Sequence, residues 1–217
     1  MKLLVVRPQP GADATAARVT SAGHEPLLMP LFAVQPVNWN APDAADFNGL
    51  LLTSANAVRE AGTQLAFFAH LPVYAVGKVT AAAAEEAGLR VGQIGNKGAD
   101  ELLSELLNCR LLWLAGEDHS EIGADASVEI DERIVYRSAA LQVPDNFREA
   151  TMQADHVLLH STRAAERFAS IVGAQALDRG DISIAALSEN IAIAAGEGWR
   201  SRRVATHPND AALLSCV

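Results

Sequence analysis

The chain has 217 residues, half of them apolar, and carries a net charge of −9. This length suits one large domain or two of about a hundred residues each. The chain is acidic and has no basic stripe, so nucleic acid is not the expected partner. Every apolar stretch is too short to cross a bilayer. Because Cys109 and Cys216 lie far apart without metal-ligand spacing, we expect reduced thiols in a cytoplasmic protein.

Short apolar segments alternate with helical patterns along the chain. The predicted strands cover residues 3–7, 25–29, 49–53, 73–76, 90–94, 110–115, 127–136, 156–160, 182–187 and 202–206. The predicted helices cover residues 11–22, 55–69, 80–87, 99–108, 145–153, 162–172, 189–195 and 209–216. Apolar strands alternating with helices are typical of parallel sheets buried on both faces, and so many strands suit two small sheets better than one. The sequence therefore predicts an α/β protein with two parallel-sheet domains.

The two halves of the chain repeat each other weakly but in the same order. The segment FNGLLLTSANAVREA resembles ADHVLLHSTRAAERF, so that Ser54 corresponds to Ser161. At the next strand-to-helix turn, Gly77 corresponds to Ser188, and the opening KLLVVRPQPGAD resembles CRLLWLAGEDHSE. Repetition in a fixed order predicts two copies of one supersecondary arrangement.

Two extended, proline-flanked segments, PLFAVQPVNWNAP and ERIVYRSAALQVP, interrupt the alternation. We expect residues 34–38 and 135–141 to run side by side as a two-stranded β linker. Domain 1 is then discontinuous, with residues 1–33 and 142–217, and domain 2 holds residues 39–134. This layout predicts a cleft between the domains, where small-molecule sites are common.

Three strand-to-helix turns, LLTSANAV, AVGKVTAAA and LLHSTRAA, combine hydroxyls or glycine with the start of a helix. The first N–H groups of a helix bind carboxylate or phosphate oxygens, and in parallel sheets these turns lie where ligands bind. Serine and threonine are also ordinary helix caps. Capping alone therefore stays open as an explanation for each turn.

Other polar residues are open to more than one interpretation. Tyr136 lies in the second linker segment, where its hydroxyl either reaches the cleft or bonds to the other linker strand. The segment GEDHSE indicates a solvated acidic loop or a pair of carboxylates for acid–base work. His156 and His160 bracket a predicted strand without an evident third ligand, so no metal site is predicted.

Taken in order, these segments resemble the uroporphyrinogen-III synthase family. The resemblance rests on VVRP, GHEPLLMPLF, LLTSANAV, VYAVGKVTAAAAEEAG, IVYRSAAL, LLHSTRAAERF and VATHPNDAALL, and it spans almost the whole chain. It implies two flavodoxin-like α/β domains joined by a two-stranded β linker, in a cytoplasmic monomer that needs no metal or organic cofactor. It also implies the substrate, hydroxymethylbilane, which loses water and cyclises with inversion of ring D through a spirocyclic pyrrolenine.

The resemblance implies roles for individual residues as well. Tyr136 matches the tyrosine that assists departure of the ring A hydroxyl. The positions placed against substrate carboxylates match Thr53, Ser54, Thr80 and Ser161. From position alone, the candidate cationic neighbours are Arg7, Lys78 and Arg163.

The sequence departs from the family pattern at its last turn, LSENIA. Ser188 stands where the family has a glycine, and Ile191 where it has a threonine, which puts substrate binding by this turn in doubt. The segment that follows the strand at 110–115 is also shorter than usual in the family. A non-catalytic two-domain protein that binds an anionic small molecule is the alternative hypothesis.

Overall fold

The computed structural model describes residues 1–95, 98–119, 121–123 and 127–217. In chain order its strands are β1 (Lys2–Val5), β2 (Glu25–Leu28), β3 (Phe32–Pro36), β4 (Gly49–Leu52), β5 (Pro72–Val76), β6 (Arg90–Gly95), β7 (Cys109–Gly116), β8 (Val128–Ala140), β9 (His156–Leu159), β10 (Ser183–Ala186) and β11 (Ser201–Val204). Its α-helices are α1 (Gly11–Ser21), α2 (Ala55–Glu60), α3 (Lys78–Glu86), α4 (Ala99–Ser104), α5 (Phe147–Gln153), α6 (Thr162–Ala174), α7 (Glu189–Ala194) and α8 (Asp210–Ser215). None of the described helices combines the length and the apolar character needed to cross a membrane.

The observed elements differ from the predicted ones mainly at their ends. The helix predicted at 55–69 is α2 followed by a 3-10 helix, Gly62–Phe68, because Gly62 adopts a φ of +69° that breaks the α-helix. The helix predicted at 80 begins earlier, at Lys78, after Gly77 with a φ of 84°. The strand predicted at 127–136 continues to Ala140.

The chain divides into two compact units. Unit 1 holds Met1–Ala33 and Ala139–Val217, and unit 2 holds Val34–Ser138. β3 and β8 are neighbours in one sheet. They are antiparallel, because Val37 N donates to Val135 O at 2.9 Å while Leu141 N donates to Leu31 O at 3.0 Å. That these two strands form a linker distinct from both domains stays a prediction.

Unit 1 is built on a sheet with the order β11-β10-β9-β1-β2, in which each neighbouring pair is parallel. Counted along the chain from β1, the strands of unit 1 stand in the order 2-1-3-4-5, which is the flavodoxin order. One face packs around Phe147 and Phe168 of α5 and α6, and the other around Val19 and Leu213 of α1 and α8. The predicted flavodoxin-like domain is therefore present.

Unit 2 contains the same arrangement in circularly permuted form. Its sheet has the order β3-β8-β7-β4-β5-β6, with parallel pairs from β8 to β6. When the count begins at β7 instead of β4, these five parallel strands again follow the order 2-1-3-4-5. With this numbering β4 corresponds to β9. Ser54 and Ser161 therefore follow equivalent strands, in agreement with the internal repeat.

The apolar run of β4 lies at the centre of the sheet in unit 2. Leu50 and Leu52 pack on the face covered by α2 and α3, whereas Leu51 packs on the face covered by α4. All three leucines are fully buried, as expected for a strand covered on both sides. The first hydroxyl residues of the segment, Thr53 and Ser54, therefore come where the chain leaves the core at the carboxyl end of β4.

Candidate active site

A cleft of about 380 Å³ lies within unit 2 beside the carboxyl ends of β4, β5 and β7. The chain continues from β4 to β5 on one side and from β7 to β8 on the other, so the strand order reverses between β4 and β7. Ligands of open parallel sheets bind at such a reversal. Three of the candidate residues, Thr53, Ser54 and Tyr136, line this cleft together.

Thr53 and Ser54 form the turn from β4 into α2. Ser54 is the N-cap residue, and its Oγ accepts a hydrogen bond of 3.2 Å from Asn56 N. Thr53 Oγ1 accepts a bond of 3.2 Å from Trp113 Nε1. A hydroxyl oxygen that accepts one such bond still has its own hydrogen to donate. Helix capping and ligand binding are therefore compatible in this turn.

Tyr136 reaches the cleft from β8. Its ring lies against Gly116 of β7, and its backbone oxygen accepts a hydrogen bond of 2.8 Å from Glu117 N. Among the described residues, its phenol hydroxyl has no hydrogen-bond partner. The described residues therefore show no hydrogen bond from this hydroxyl to the other strand of the predicted linker.

The cleft also has an acidic lining, contributed by Asp100, Asp118 and Glu121. Asp100 Oδ1 accepts a hydrogen bond of 3.0 Å from Gly123 N, which joins α4 to Gly123. Asp118, His119 and Glu121 of the segment GEDHSE therefore line the cleft, and the residues Asp118 and Glu121 are also solvent-exposed. Because negative side chains repel anions, a carboxylate bound here needs N–H or O–H donors close to it.

His119 lies in the same lining. Its Nε2 is 2.6 Å from Glu132 Oε1, and its ring meets Trp113 edge-on with the ring centroids 4.5 Å apart. Trp113 in turn donates to Thr53, so one set of contacts joins the loop after β7 to the turn after β4. Among the described residues, no group of three histidine, cysteine, aspartate or glutamate side chains is arranged to hold a metal ion.

Lys78 and Thr80 lie in the first turn of α3, after β5. Lys78 is exposed, whereas Thr80 is only 5% exposed. Neither is among the described residues that line the cleft. The cleft therefore brings Tyr136 together with Thr53 and Ser54 of the first predicted turn, and it includes Val76 of the second turn but neither Lys78 nor Thr80.

A comparison with protein families identifies the chain. The family model described as uroporphyrinogen-III synthase HemD matches residues 13–215. The chain belongs to the uroporphyrinogen-III synthase family. Membership implies an enzyme of heme biosynthesis that acts on a small-molecule tetrapyrrole, and nothing favours the alternative of a non-catalytic binding protein.

Solved structures agree with this family at the level of the fold. The chain is similar to the crystal structure of a uroporphyrinogen-III synthetase from Helicobacter pylori, with 16% identity, a TM-score of 0.67, and coverage of 99% of this chain and 97% of that one. It is also similar to a mutant uroporphyrinogen III synthase from Thermus thermophilus, with 19% identity, a TM-score of 0.53, and coverage of 99% and 96%. No curated protein matches the sequence.

In unit 1 of this synthase-family chain, Ser161 is the N-cap residue of α6 and Ser188 is the N-cap residue of α7, and their side chains bond differently. Ser161 Oγ accepts a hydrogen bond of 3.2 Å from Ala164 N, whereas the Ser188 side chain makes no capping bond. Glu189, which follows Ser188, pairs with Arg202 at 2.9 Å. Ile191 is buried in the core. The variant turn is therefore stabilised by apolar packing and a surface ion pair instead of a hydroxyl cap.

Replacing Ser161 with alanine is expected to lower the free energy of unfolding by about 1 kcal/mol, because the N–H of Ala164 loses its acceptor. The matched change Ser188→Ala should cost less than half as much, since no capping bond is removed. Urea unfolding followed by circular dichroism measures both values. Equal losses would contradict the assignment of a capping role to Ser161 alone.

The predicted cations of unit 1 make contacts of their own. The Arg163 guanidinium lies over the Phe32 ring, with Cζ 4.9 Å from the centroid. Arg7 Nη1 donates to Thr15 Oγ1 at 3.2 Å and is 3.6 Å from Asp210 Oδ1. Burial lowers the pKa of Arg7, the charge of Asp210 raises it, and the charge of Arg18 lowers it further. The Arg7 contacts favour a structural role over the predicted ligand role.

Asp210, which is 9% exposed, is the centre of a buried polar cluster that sequence reasoning missed. Its Oδ2 accepts from Thr15 Oγ1 at 2.8 Å and from Arg18 Nη1 at 2.9 Å, and its Oδ1 is 3.0 Å from His160 Nε2. Burial alone would raise the pKa of this carboxyl, but the hydrogen bonds from His160 and Thr15 and the charges of His160 and Arg7 hold it well below its usual range. Asp210 therefore remains charged at neutral pH and joins α8 to α1 and to the end of β9.

Proposed function

We propose that this chain converts hydroxymethylbilane into uroporphyrinogen III, and that the cleft of unit 2 binds the hydroxymethyl-bearing end of the substrate. The observation that carries this proposal is that Tyr136 and the Thr53–Ser54 turn line one cleft where the strand order reverses. This position is the usual ligand site of the fold. The family match supports the reaction, and the cleft supplies residues for it.

Tyr136 is the proposed hydrogen-bond donor to the departing hydroxyl. A phenol O–H group is a hydrogen-bond donor. As the C–O bond breaks, its electron pair stays with the oxygen, and the pyrrole nitrogen supplies electrons to the carbon that is left. One water leaves: the phenol supplies its second hydrogen, and the proton lost from the pyrrole nitrogen restores the phenol. The product of this step is an azafulvene.

The acidic lining suits the ring that reacts better than it suits a carboxylate. Positive charge develops on the pyrrole as the hydroxyl departs, and the carboxylates of Asp100, Asp118 and Glu121 lower its energy. Pyrrole N–H groups can also donate hydrogen bonds to these carboxylates. Negative charge in the cleft is therefore favourable for the dehydration step.

The substrate carboxylates are held by hydroxyl and N–H donors in the proposed complex. The hydroxyls of Thr53 and Ser54 each have a hydrogen to donate. Ser161, Thr80, Lys78, Arg163 and Ser188 stay candidates from their positions in the sequence. Once the azafulvene has formed, holding ring D against it is the main contribution of the protein, because cyclisation is intramolecular and depends on orientation.

The proposed reaction places the enzyme among the lyases that eliminate water. We propose that it acts as a monomer, as the family resemblance implies. We place it in the cytoplasm, because the free thiols of Cys109 and Cys216 suit a reducing compartment.

Product analysis tests the proposed function directly. Hydroxymethylbilane is supplied to the purified chain, the products are oxidised, and the isomers are separated by chromatography. The type III isomer should form faster than the type I isomer that appears in a control without protein. Type I alone, formed at the rate of that control, would exclude the proposed reaction.

A further inference from the structure

Gly116 is the last residue of β7 and lies directly beside Tyr136. The pairing of β7 with β8 runs from Ala115 opposite Ile134 to Gly116 opposite Tyr136. Val135 is therefore an extra residue on β8, which makes this a β-bulge. β-Bulges redirect the side chains that follow them and are frequent beside functional sites.

The bulge changes the face of the sheet to which Tyr136 belongs. Ile130 and Ile134 pack with the cluster on the α4 face, as side chains an even number of residues apart do in a regular strand. Val135 and Tyr136, although consecutive, both pack with the cluster on the opposite face. Without the extra residue, regular alternation would place Tyr136 on the same face as Ile134.

On that face the ring of Tyr136 occupies the space that a side chain at position 116 would fill. A Cβ atom on Gly116 would come within 2.7 Å of both Cε2 and the hydroxyl oxygen of Tyr136. Real Cβ contacts essentially never fall below 3.0 Å, so the ring would have to move. The φ of Gly116 is not in the left-handed region, so its backbone conformation does not itself require glycine.

We propose that Gly116 is a positioning residue, whose missing side chain leaves the room in which the Tyr136 phenol reaches the cleft. The inference rests on the role proposed above for Tyr136. The bulge selects the face of the sheet, and Gly116 sets the place of the ring on that face. Any side chain at position 116 displaces the phenol from the departing hydroxyl while leaving the Thr53–Ser54 turn in place.

The position of the ring can be measured without substrate. Tyr74 and Tyr136 are the two tyrosines of the chain, so protein labelled with 3-fluorotyrosine gives two ¹⁹F resonances. The variant Tyr74→Phe assigns them. Gly116→Ala should shift the Tyr136 resonance and leave that of Tyr74 unchanged. Gly92→Ala is the matched control on β6, since its Cβ would meet Pro72 Cβ at 3.3 Å and no tyrosine, and it should shift neither resonance.

The activity of the same variants tests whether this position matters for the reaction. Gly116→Ala should lower kcat about tenfold or more with KM changed by less than about twofold, because only the group that acts in the transition state moves. In a Tyr136→Phe background the same substitution should change kcat by less than about twofold, since the hydroxyl is already absent. Gly92→Ala should retain the kcat of the unsubstituted chain.

Two results would overturn the proposal. One is an unchanged Tyr136 resonance together with unchanged kcat in Gly116→Ala. The other is an equal loss of kcat with and without the Tyr136 hydroxyl, which would show that Gly116 does not act through the phenol. If the unsubstituted chain forms no type III isomer, the proposed function fails, while a shifted resonance still supports the placement of the ring by Gly116.

Discussion

Replacing Tyr136 with phenylalanine is expected to lower kcat for type III isomer formation about 100-fold, the usual contribution of a positioned proton donor. The ring and its packing in unit 2 are kept, and only the hydroxyl that lines the cleft is removed. KM should change little, because the hydroxyl acts on the departing group and not on the substrate carboxylates by which the substrate is held. Initial rates measured by separation of the oxidised isomers give both constants.

Tyr74→Phe is the matched control, because Tyr74 is the other tyrosine and its ring also lies against a strand glycine, Gly49. It is not among the described residues that line the cleft, so activity should be retained. Thermal unfolding should be nearly unchanged for both variants. If Tyr136→Phe keeps full activity, Tyr136 has no catalytic role, and the departing hydroxyl must be assisted by another group.

Replacing Asp210 with alanine is expected to lower the free energy of unfolding by about 3–5 kcal/mol, because it leaves buried partners without their acceptor. Thr15 is fully buried, the His160 side chain is 4% exposed, and Arg7 is half-buried, so solvent cannot replace the lost carboxylate efficiently. Asp13→Ala is the control. It removes an exposed carboxylate of α1 bonded only within its own turn and should cost about 0.5 kcal/mol or less.

The contribution of Asp210 should also depend on pH. Its pKa is lowered in the folded chain, so the folded state binds this proton less readily than the unfolded state. The stabilisation is therefore fully present above the unfolded pKa of about 3.9 and is lost as pH falls below it. Urea unfolding between about pH 3 and 7 should show the difference between the unsubstituted chain and Asp210→Asn shrinking towards acid. A difference that is constant over this range would contradict a charged Asp210.

The architecture could be predicted because it depends on local patterns. Apolar runs such as that of β4 identify buried parallel strands, and hydroxyl residues such as Ser54 and Ser161 mark helix starts. The repeated segments also indicated the circular permutation, because the opening of the chain, which forms β1, resembles the segment around β7. Periodicity and capping are properties of neighbouring residues, so a single sequence shows them.

The details of the site depend on contacts between distant residues, which periodicity does not report. Asp210 and Thr15 are 195 residues apart, and nothing in the helical pattern of either segment identifies the other as its partner. The bulge at Val135 adds one residue of a type that is ordinary in strands, so the sequence pattern does not reveal it. Gly116 lies one residue beyond the strand predicted at 110–115, and only the observed strand, which extends to Gly116, makes it a glycine of β7, where such a residue indicates a bulge or a close approach.

The order of strands in unit 1 has a consequence for synthesis on the ribosome. β1 and β2 are made first, but the neighbour of β1 on its other side is β9, and Leu3 of β1 aligns with His156. Unit 2, which ends at Ser138, is complete before that strand emerges. Domains generally fold as units while the chain grows, so unit 2 folds before unit 1.

Until β9 is made, the apolar side chains of β1 lack the cover they have in the finished protein, where Leu3, Leu4 and Val5 are fully buried. The nascent chain therefore exposes an apolar segment to chaperones at β1 until residues 139–217 are translated.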